Sequence, residues 1–313
     1  MRAVSYSKYA TDNSTLQVGD LPDPKVGPGS VLIEVKAAGV NPVDWKVLAG
    51  GLDAMMDAVF PVVPGWDVAG VVTAVGPDTP EFAVGDEVVA YARKDVVRDG
   101  TFAEQVAVSA DVVAAKPKSL TWEQAGGLPL AGLTALKTLR HIGIEPSGAG
   151  KTVLIHAAAG GVGSLGVQIA VAAGARVIGT ASERNHDYLR SLGAEPVTYG
   201  DGLADRVREL APNGVDAVAD FVGGVLDVTL AVLADGGRHA SIADPEADGK
   251  GGSWLWVRPS SADLVRLGEL VDAGKLAIEV AQTFTLDQVG DAFDASRSGG
   301  TRGKLVILPS ARA

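Results

Sequence analysis

KTVLIHAAAGGVGSLGVQIA, residues 151–170, is the stretch whose reading decides the fold. Its first part, TVLIHAA, is a short apolar run of the kind a buried strand uses. Beyond the glycines, LGVQIAVAAG carries apolar residues at helical spacing. Between the two, Gly161, Gly163 and Gly166 make GxGxxG. In such a unit the first glycine permits a tight turn, the second lets backbone approach a pyrophosphate, and the third lets the helix pack close to the strand. The helix amino terminus then presents unpaired N–H groups to the phosphates. The cradle is expected over Ala159, Gly160, Gly161, Val162 and Gly163. A glycine-rich turn that holds no ligand is the competing reading. A membrane span over the uncharged stretch Thr152 to Ala175 fits less well, because Gly160, Gly161, Gly163 and Gly166 weaken a lone helix.

Outward from this unit the chain alternates. The strand-like runs TVLIHAA, ARVIGTA, AVADFVG and GRHASIA are separated by LGVQIAVAAG, NHDYLRSLG and ADRVRELA, which have helical spacing. Alternation of this kind implies a parallel, doubly wound sheet. Upstream, to about Leu120, the pattern is short β-type runs broken by Gly and Pro: VLIEVKAAGV, VAGVVTAVG, DEVVAYA and AEQVAVSADVVAAKP. This reads as a mostly antiparallel β domain. Downstream, SSADLVRLGELVDAGKL is a helix with Gly274 as its stop signal, and a short helix near Leu286 to Ser296 precedes GKLVILP, a strand returning to the first domain. The expected fold is α/β, with a β domain from 1–122 and 279–313 and a doubly wound dinucleotide-binding domain over 123–278. The polar, Gly-rich DPEADGKGGS, residues 244–253, reads as a mobile loop able to cover a site.

Composition narrows the partners. A chain of 313 residues with 47% hydrophobic residues can bury more than one core. Its net charge of -11 and the lack of a Lys/Arg cluster argue against a nucleic-acid or anionic-membrane surface and for a small molecule. Cysteine is absent, which removes thiolate nucleophiles and thiolate metal sites, and the His residues at 141, 156, 186 and 239 lack HxxxH or HExxH spacing. No metal site is expected. The amino-terminal MRAVSYSKYATDNS lacks an apolar core of signal-peptide length, so the cytoplasm is the expected compartment.

Cofactor choice rests on the second strand, ARVIGTASERN. About 20 residues after the fingerprint an acidic residue would bind a ribose hydroxyl and favour NADH. Ala181 and Ser182 stand there instead, and Arg184 just beyond suits a 2′-phosphate through its planar guanidinium. NADPH is expected, with Glu183 as the competing observation.

Several motifs then resemble one family across nearly the whole chain. AAGVNPVDWKVLAG (37–50), PGWDVAGVV (64–72), GDEVVAY (85–91), GTFAEQV (100–106), LPLAGLTAL (128–136), AAAGGVG (157–163) and TRGKLVIL (301–308) occur in the order found in zinc-independent medium-chain dehydrogenases/reductases. That group includes quinone oxidoreductases and alkenal/enone reductases. The resemblance implies a GroES-like catalytic domain made from both chain ends, a Rossmann domain, and a cleft for nicotinamide and substrate. It also implies a homodimer and metal-free hydride transfer to a small hydrophobic electrophile, either a quinone or an activated C=C bond. By motif, Asn41 resembles a residue at the nicotinamide and substrate pocket, Thr134 a nicotinamide contact, and Tyr199 a residue flanking the 2′-phosphate. Phe221 and Val222 correspond to positions near a ribose, Ile242 to one near the nicotinamide, and Arg302 and Lys304 are further cofactor candidates.

With neither flavin motif nor nucleophile, the protein's task would be to align cofactor and substrate and to stabilise a developing oxyanion. Asp44, Lys46, Tyr91 and bulk water are candidate proton donors, with water the default. Each side chain has a plainer reading: Asp44 as a helix cap in VDWKVLAG, Lys46 as a solvated side chain, His156 as a hydrogen-bonded core residue, and Asn41 before Pro42 as a turn former. Trp45, Trp254 and Trp256, with Tyr91, Met55 and Met56, suit an apolar pocket for a flat conjugated substrate, and core packing explains each equally well. Two other functions stay open. One is an enoyl-thioester or polyketide-tailoring reductase; the other is a protein that binds NADPH without turnover.

Overall fold

Alternation along SVLIEVKAAGV buries Val31, Ile33 and Val35 on one face, as a half-covered strand requires. In the computed structural model, which describes residues 1–310, this run is the strand Ser30–Val40. Of the expected carboxy-terminal segment 279–313, residues 311–313 lie outside the described ones. The chain divides into two compact units. One comprises Met1–Leu133, Arg258–Asp272 and the chain from Ile278 onward; the other comprises Thr134–Val257 and Ala273–Ala277.

In the first unit, Ser30–Val40 pairs antiparallel with Asp67–Val75, Gln105–Ser109 and Lys304–Ile307. Glu87–Tyr91 continues the sheet from Asp67–Val75, and Val113–Ala115 follows it. The carboxy-terminal run GKLVILP does return here, with Leu305 opposite Val40 and Ile307 opposite Ala38. Val280–Phe284 lies parallel to it at the sheet edge. The run AEQVAVSADVVAAKP breaks into two strands, because a 3-10 turn at Ala110–Val112 carries the chain from one sheet neighbour to another. Helix Trp122–Gly127 is capped reciprocally by Thr121 and Gln124 and lies tight on the sheet. A Cβ on its Gly126 would stand 2.8 Å from that of Ala37, so only glycine permits the approach.

In the second unit, six strands form a parallel sheet: Thr152–Ile155, Arg176–Ala181, Ala194–Thr198, Val215–Asp220, Leu233–Ser241 and Ser253–Trp254. Numbered along the chain, they lie in the order third, second, first, fourth, fifth, sixth. The order reverses beside the first strand, and a doubly wound sheet opens its ligand crevice at such a reversal. Leu154, Ile178 and Val218 meet Val207 and Val232 of covering helices in one buried cluster. The segment 244–253 differs from the loop expected of its composition. Pro245–Lys250 is a 3-10 helix whose first turn is capped by Asp244, and the N–H of Trp254 donates to Asp248 at 2.6 Å. Short acidic side chains that find backbone N–H groups within a few residues order a stretch that composition alone marks as loose.

Candidate active site

The glycine turn leaves the first strand of the parallel sheet at Ile155, and helix Gly163–Ala172 starts beyond it. Ala157 takes the left-handed conformation, φ 53°, and is held there by its N–H, which donates to Thr180 Oγ1 at 3.0 Å. Gly163 is required by packing: a Cβ there would lie 2.1 Å from the Ala157 carbonyl oxygen and 2.7 Å from Ala158 Cα. The close backbone approach at this second glycine is therefore made by the protein's own strand exit. Gly166 allows the Phe221 ring to lie against the helix, 3.0 Å from where its Cβ would be. Gly160 differs from both, since its Cβ would meet only the Ala157 oxygen, at 3.3 Å. Ser164 and Gly166 donate their N–H groups to the carbonyls of Gly160 and Val162. The donors that helix geometry leaves over are those of Gly161, Val162 and Gly163, beside the open face of Gly160. A cradle ringed by amide donors, with open space where a Gly160 side chain would stand, fits a diphosphate.

The adjacent strand ends bring the other nucleotide candidates to the same edge of the sheet. Ala181 is opposite Thr198 in register, so Ser182, Arg184 and Tyr199 follow neighbouring strands. Ser182 accepts a hydrogen bond from Asn185 Nδ2, Arg184 is exposed on the 3-10 turn Glu183–Asn185, and Tyr199 is 60% exposed. Guanidinium, hydroxyl and phenol are a donor set suited to a phosphate monoester. Phe221 and Val222 follow the fourth strand, and Ile242 follows the fifth. The Phe221 ring packs on the helix, whereas Val222 is 56% exposed. His156 is a core residue beneath these loops. Its imidazole lies against Thr229 Oγ1, and burial pushes its pKa down to about 4, so it stays neutral.

The first unit holds a second polar constellation, entirely buried. Asn41 is the cap residue of helix Pro42–Leu48, and its N–H donates to Asp44 Oδ2 at 2.8 Å. Its side-chain amide is engaged at both ends: Nδ2 donates to Asp67 Oδ2 at 2.8 Å, and Oδ1 accepts from Lys304 Nζ at 2.5 Å. Lys304 also donates to the carbonyl of Val40, and its ammonium lies 4.0 Å from Asp67. Asp67 further accepts the Leu130 N–H at 2.7 Å, at the start of helix Pro129–His141. Asp44 Oδ1 is buried without a hydrogen-bond partner. Burial pushes Asp44 up to about 8 and Asp67 up to about 6, and it pulls Lys304 down.

These shifts have a thermal consequence. Asp44 titrates near 3.8 in the unfolded chain and near 8 in the folded one, so between those values the folded protein holds the extra proton. The stability it contributes is full below about pH 4 and is lost as pH rises to about 8. Asp67 acts with the same sign over a narrower window, up to about 6. Asp44→Asn is therefore expected to lose less melting temperature than wild type between pH 5 and pH 8, by a few degrees, read by scanning calorimetry. Equal pH slopes for the two proteins would contradict the protonated state of Asp44.

The remaining candidates fall in several places. Lys46 is exposed, with its ammonium 5.6 Å from the Trp45 ring centre. Trp45 docks its helix on Val289–Ser298: Nε1 donates to Ser296 Oγ at 3.1 Å, and the Arg297 guanidinium lies over the ring. Tyr91 is buried opposite Asp67 in register, with its ring against Trp66, and burial raises its hydroxyl pKa. Trp254 is half-buried in the last strand of the parallel sheet and Trp256 is exposed beyond it. Thr134 is buried in helix Pro129–His141 and falls in the second unit. Arg302 pairs with Glu279 at 2.8 Å. Met56 is buried, whereas Met55 is exposed. Asp67, Thr180, Asp220 and Ser241 escaped the reading of the sequence. For the two aspartates the signal was an acidic residue at the edge of an apolar strand, as in WDVAGVV and AVAD; Thr180 and Ser241 carry no such signal.

Zinc chemistry does not fit these residues. The sequence has no cysteine, and no group of three or more His, Asp or Glu side chains among the described residues is placed to hold a metal ion. No helix among them is long and apolar enough to cross a membrane.

Comparison with known proteins places this geometry. Residues 27–118 match the alcohol dehydrogenase GroES-like domain, and residues 192–307 match the family described as zinc-binding dehydrogenase. The chloroplastic NADPH-dependent alkenal/one oxidoreductase of Arabidopsis thaliana is 34% identical over 318 residues, which cover 99% of this chain and 80% of that protein. The quinone oxidoreductase from Coxiella burnetii superposes with a TM-score of 0.85 at 33% identity, covering 99% of both chains. A mycobacterial protein solved in complex with NADPH does so at 0.85 and 30% identity, covering 99% of this chain and all of the other. The chain belongs to the medium-chain dehydrogenase/reductase family, in the branch of the quinone and alkenal/one oxidoreductases.

Proposed function

We propose that the chain is an NADPH-dependent reductase that passes hydride, without a metal ion, to a quinone or to the activated C=C bond of an enone or enal. The observation that carries this reading is the meeting of an amide-ringed glycine cradle with Ser182, Arg184 and Tyr199 at one edge of the parallel sheet. The substrate class is supported by the relatives' names, alkenal/one oxidoreductase and quinone oxidoreductase. Reduced nicotinamide, when bound, brings the hydride.

The chain's own residues then divide the work. Ala159 to Gly163 hold the diphosphate; Ser182, Arg184 and Tyr199 hold the 2′-phosphate; Phe221, Val222 and Ile242 border the nicotinamide ribose and ring. The further cofactor candidates are, in the first unit, Asn41 with Lys304 acting through its amide and Arg302 of the same motif as Lys304, and, in the second unit, Thr134. Trp45 and Tyr91 are the aromatic substrate candidates of the first unit, and Trp254 and Trp256 those of the second. Of the proton candidates, Lys46 is at the surface and Tyr91 holds its proton strongly, so bulk water is the donor, with Asp44 the chain's one candidate carboxyl kept protonated at neutral pH.

The domain division is proposed as 1–122 with 279–313 against 123–278, of which 123–133 and 258–272 group with the first compact unit. A homodimer is supported by Ser253–Trp254 as an edge strand beside exposed Trp256.

The test follows reduced-nicotinamide absorbance across quinones, enals, enones and enoyl thioesters, with NADPH and NADH compared. Steady oxidation of NADPH by a quinone or enone is the expected result. Turnover confined to thioesters would move the assignment to a tailoring reductase, and no turnover with any acceptor would leave only a nucleotide-binding protein.

A further inference from the structure

Asp220 and Ser241 end adjacent parallel strands and face one another in register. Both are buried, and Ser241 Oγ–H donates to Asp220 Oδ2 at 2.6 Å. The other carboxyl oxygen accepts the N–H groups of Val222 and Gly223, both at 2.9 Å. Because the hydroxyl proton goes to the carboxyl, both lone pairs of Ser241 Oγ are left for amides. They accept from Ala243 at 3.1 Å and from Asp244 at 2.9 Å. One side-chain pair thus fixes two loops, 221–223 and 242–244. The backbone repeats the link, since the N–H of Ile242 donates to the Asp220 carbonyl.

Ligands of doubly wound sheets sit outside the carboxyl ends of the strands, where these loops are. A loop already held in its bound form loses less entropy when the ligand arrives. We infer that Asp220 and Ser241 are positioning residues that hold both loops as one unit for the nicotinamide half of the cofactor. This rests on the NADPH reading above. Neither side chain touches the nucleotide; each acts through the amides it fixes.

Ser241→Ala removes the acceptor for two amides and the donor to Asp220. Asp220→Asn attacks the same link from the other side, by setting an amide NH₂ where the hydroxyl must donate. In the nucleotide-free protein, Ser241→Ala is expected to speed hydrogen exchange at Ala243 and Asp244 and also at Val222 and Gly223. In equilibrium titration it is expected to weaken NADPH about tenfold through lost preorganisation. Affinity for an adenosine bisphosphate fragment lacking the nicotinamide half should not change.

Faster exchange in 242–244 alone, or unchanged NADPH affinity in a variant whose loops have loosened, would overturn the inference. Equal losses for NADPH and the fragment would also overturn it, because they would indicate general damage to the unit. If Ser241→Ala does not fold, Asp220→Asn is read by the same criteria. Wild-type protein that fails to bind NADPH would overturn the proposed function and this role with it. The exchange measurement, made without nucleotide, separates that failure from a failure of the link between the loops.

Discussion

Gly163→Ala is expected to destabilise the nucleotide-binding unit by about 3 kcal/mol or more and to abolish NADPH binding. The added methyl would lie 2.1 Å from the Ala157 carbonyl oxygen and 2.7 Å from Ala158 Cα, and both of these are backbone atoms. A flexible side chain yields to such a contact; a strand exit held by Thr180 does not. Gly160→Ala, three positions earlier, is the informative partner. Its methyl meets only the Ala157 oxygen, at 3.3 Å, so the fold should survive with a loss of about 1 kcal/mol or less. The same methyl projects into the cradle, and NADPH affinity should fall about tenfold to a hundredfold, the value of 1.4–3 kcal/mol approximately. Thermal melts and nucleotide titrations on the two variants separate a glycine needed for packing from one needed for a ligand. Native affinity in a folded Gly160→Ala would show that the open face beside Gly160 serves no phosphate.

Arg184→Ala carries the second large effect. A guanidinium on a phosphate monoester makes charge-assisted hydrogen bonds of about 1.5–3 kcal/mol, and NADH offers no such group. NADPH affinity should therefore fall about tenfold to a hundredfold while NADH affinity stays level. Because Arg184 is exposed, the difference should shrink as salt is raised. Equal losses for the two nucleotides would remove Arg184 from the 2′-phosphate and return Glu183 to consideration as a ribose ligand.

The parts of the fold legible in the sequence are those where local chemistry has one outcome. GGVGSLG between an apolar run and a helical one admits little besides a strand, a tight turn and a helix, and alternation along VLIEVKAAGV fixes which face is buried. Ser182 and Arg184 are legible at the end of ARVIGTASERN and Tyr199 through the family resemblance; the register of Ala181 with Thr198 puts the three after neighbouring strands. What stayed hidden depends on partners distant in the chain. Nothing near Asp67 announces that it will receive Asn41 and Leu130 and lie beside Lys304. Nothing near Trp45 announces Ser296. The order in 244–253 was hidden for the opposite reason: Gly and Asp suit loose loops and tight caps alike, and only the bonds made by Asp244 and Asp248 decide between them.

The central claim is that the turn after Ile155 seats the diphosphate of NADPH. Equilibrium titration of the purified wild-type chain with NADPH and NADH, followed by nicotinamide fluorescence, tests it most directly. One saturable site per chain with NADPH held more tightly than NADH is the expected result; no affinity for either nucleotide would contradict the claim.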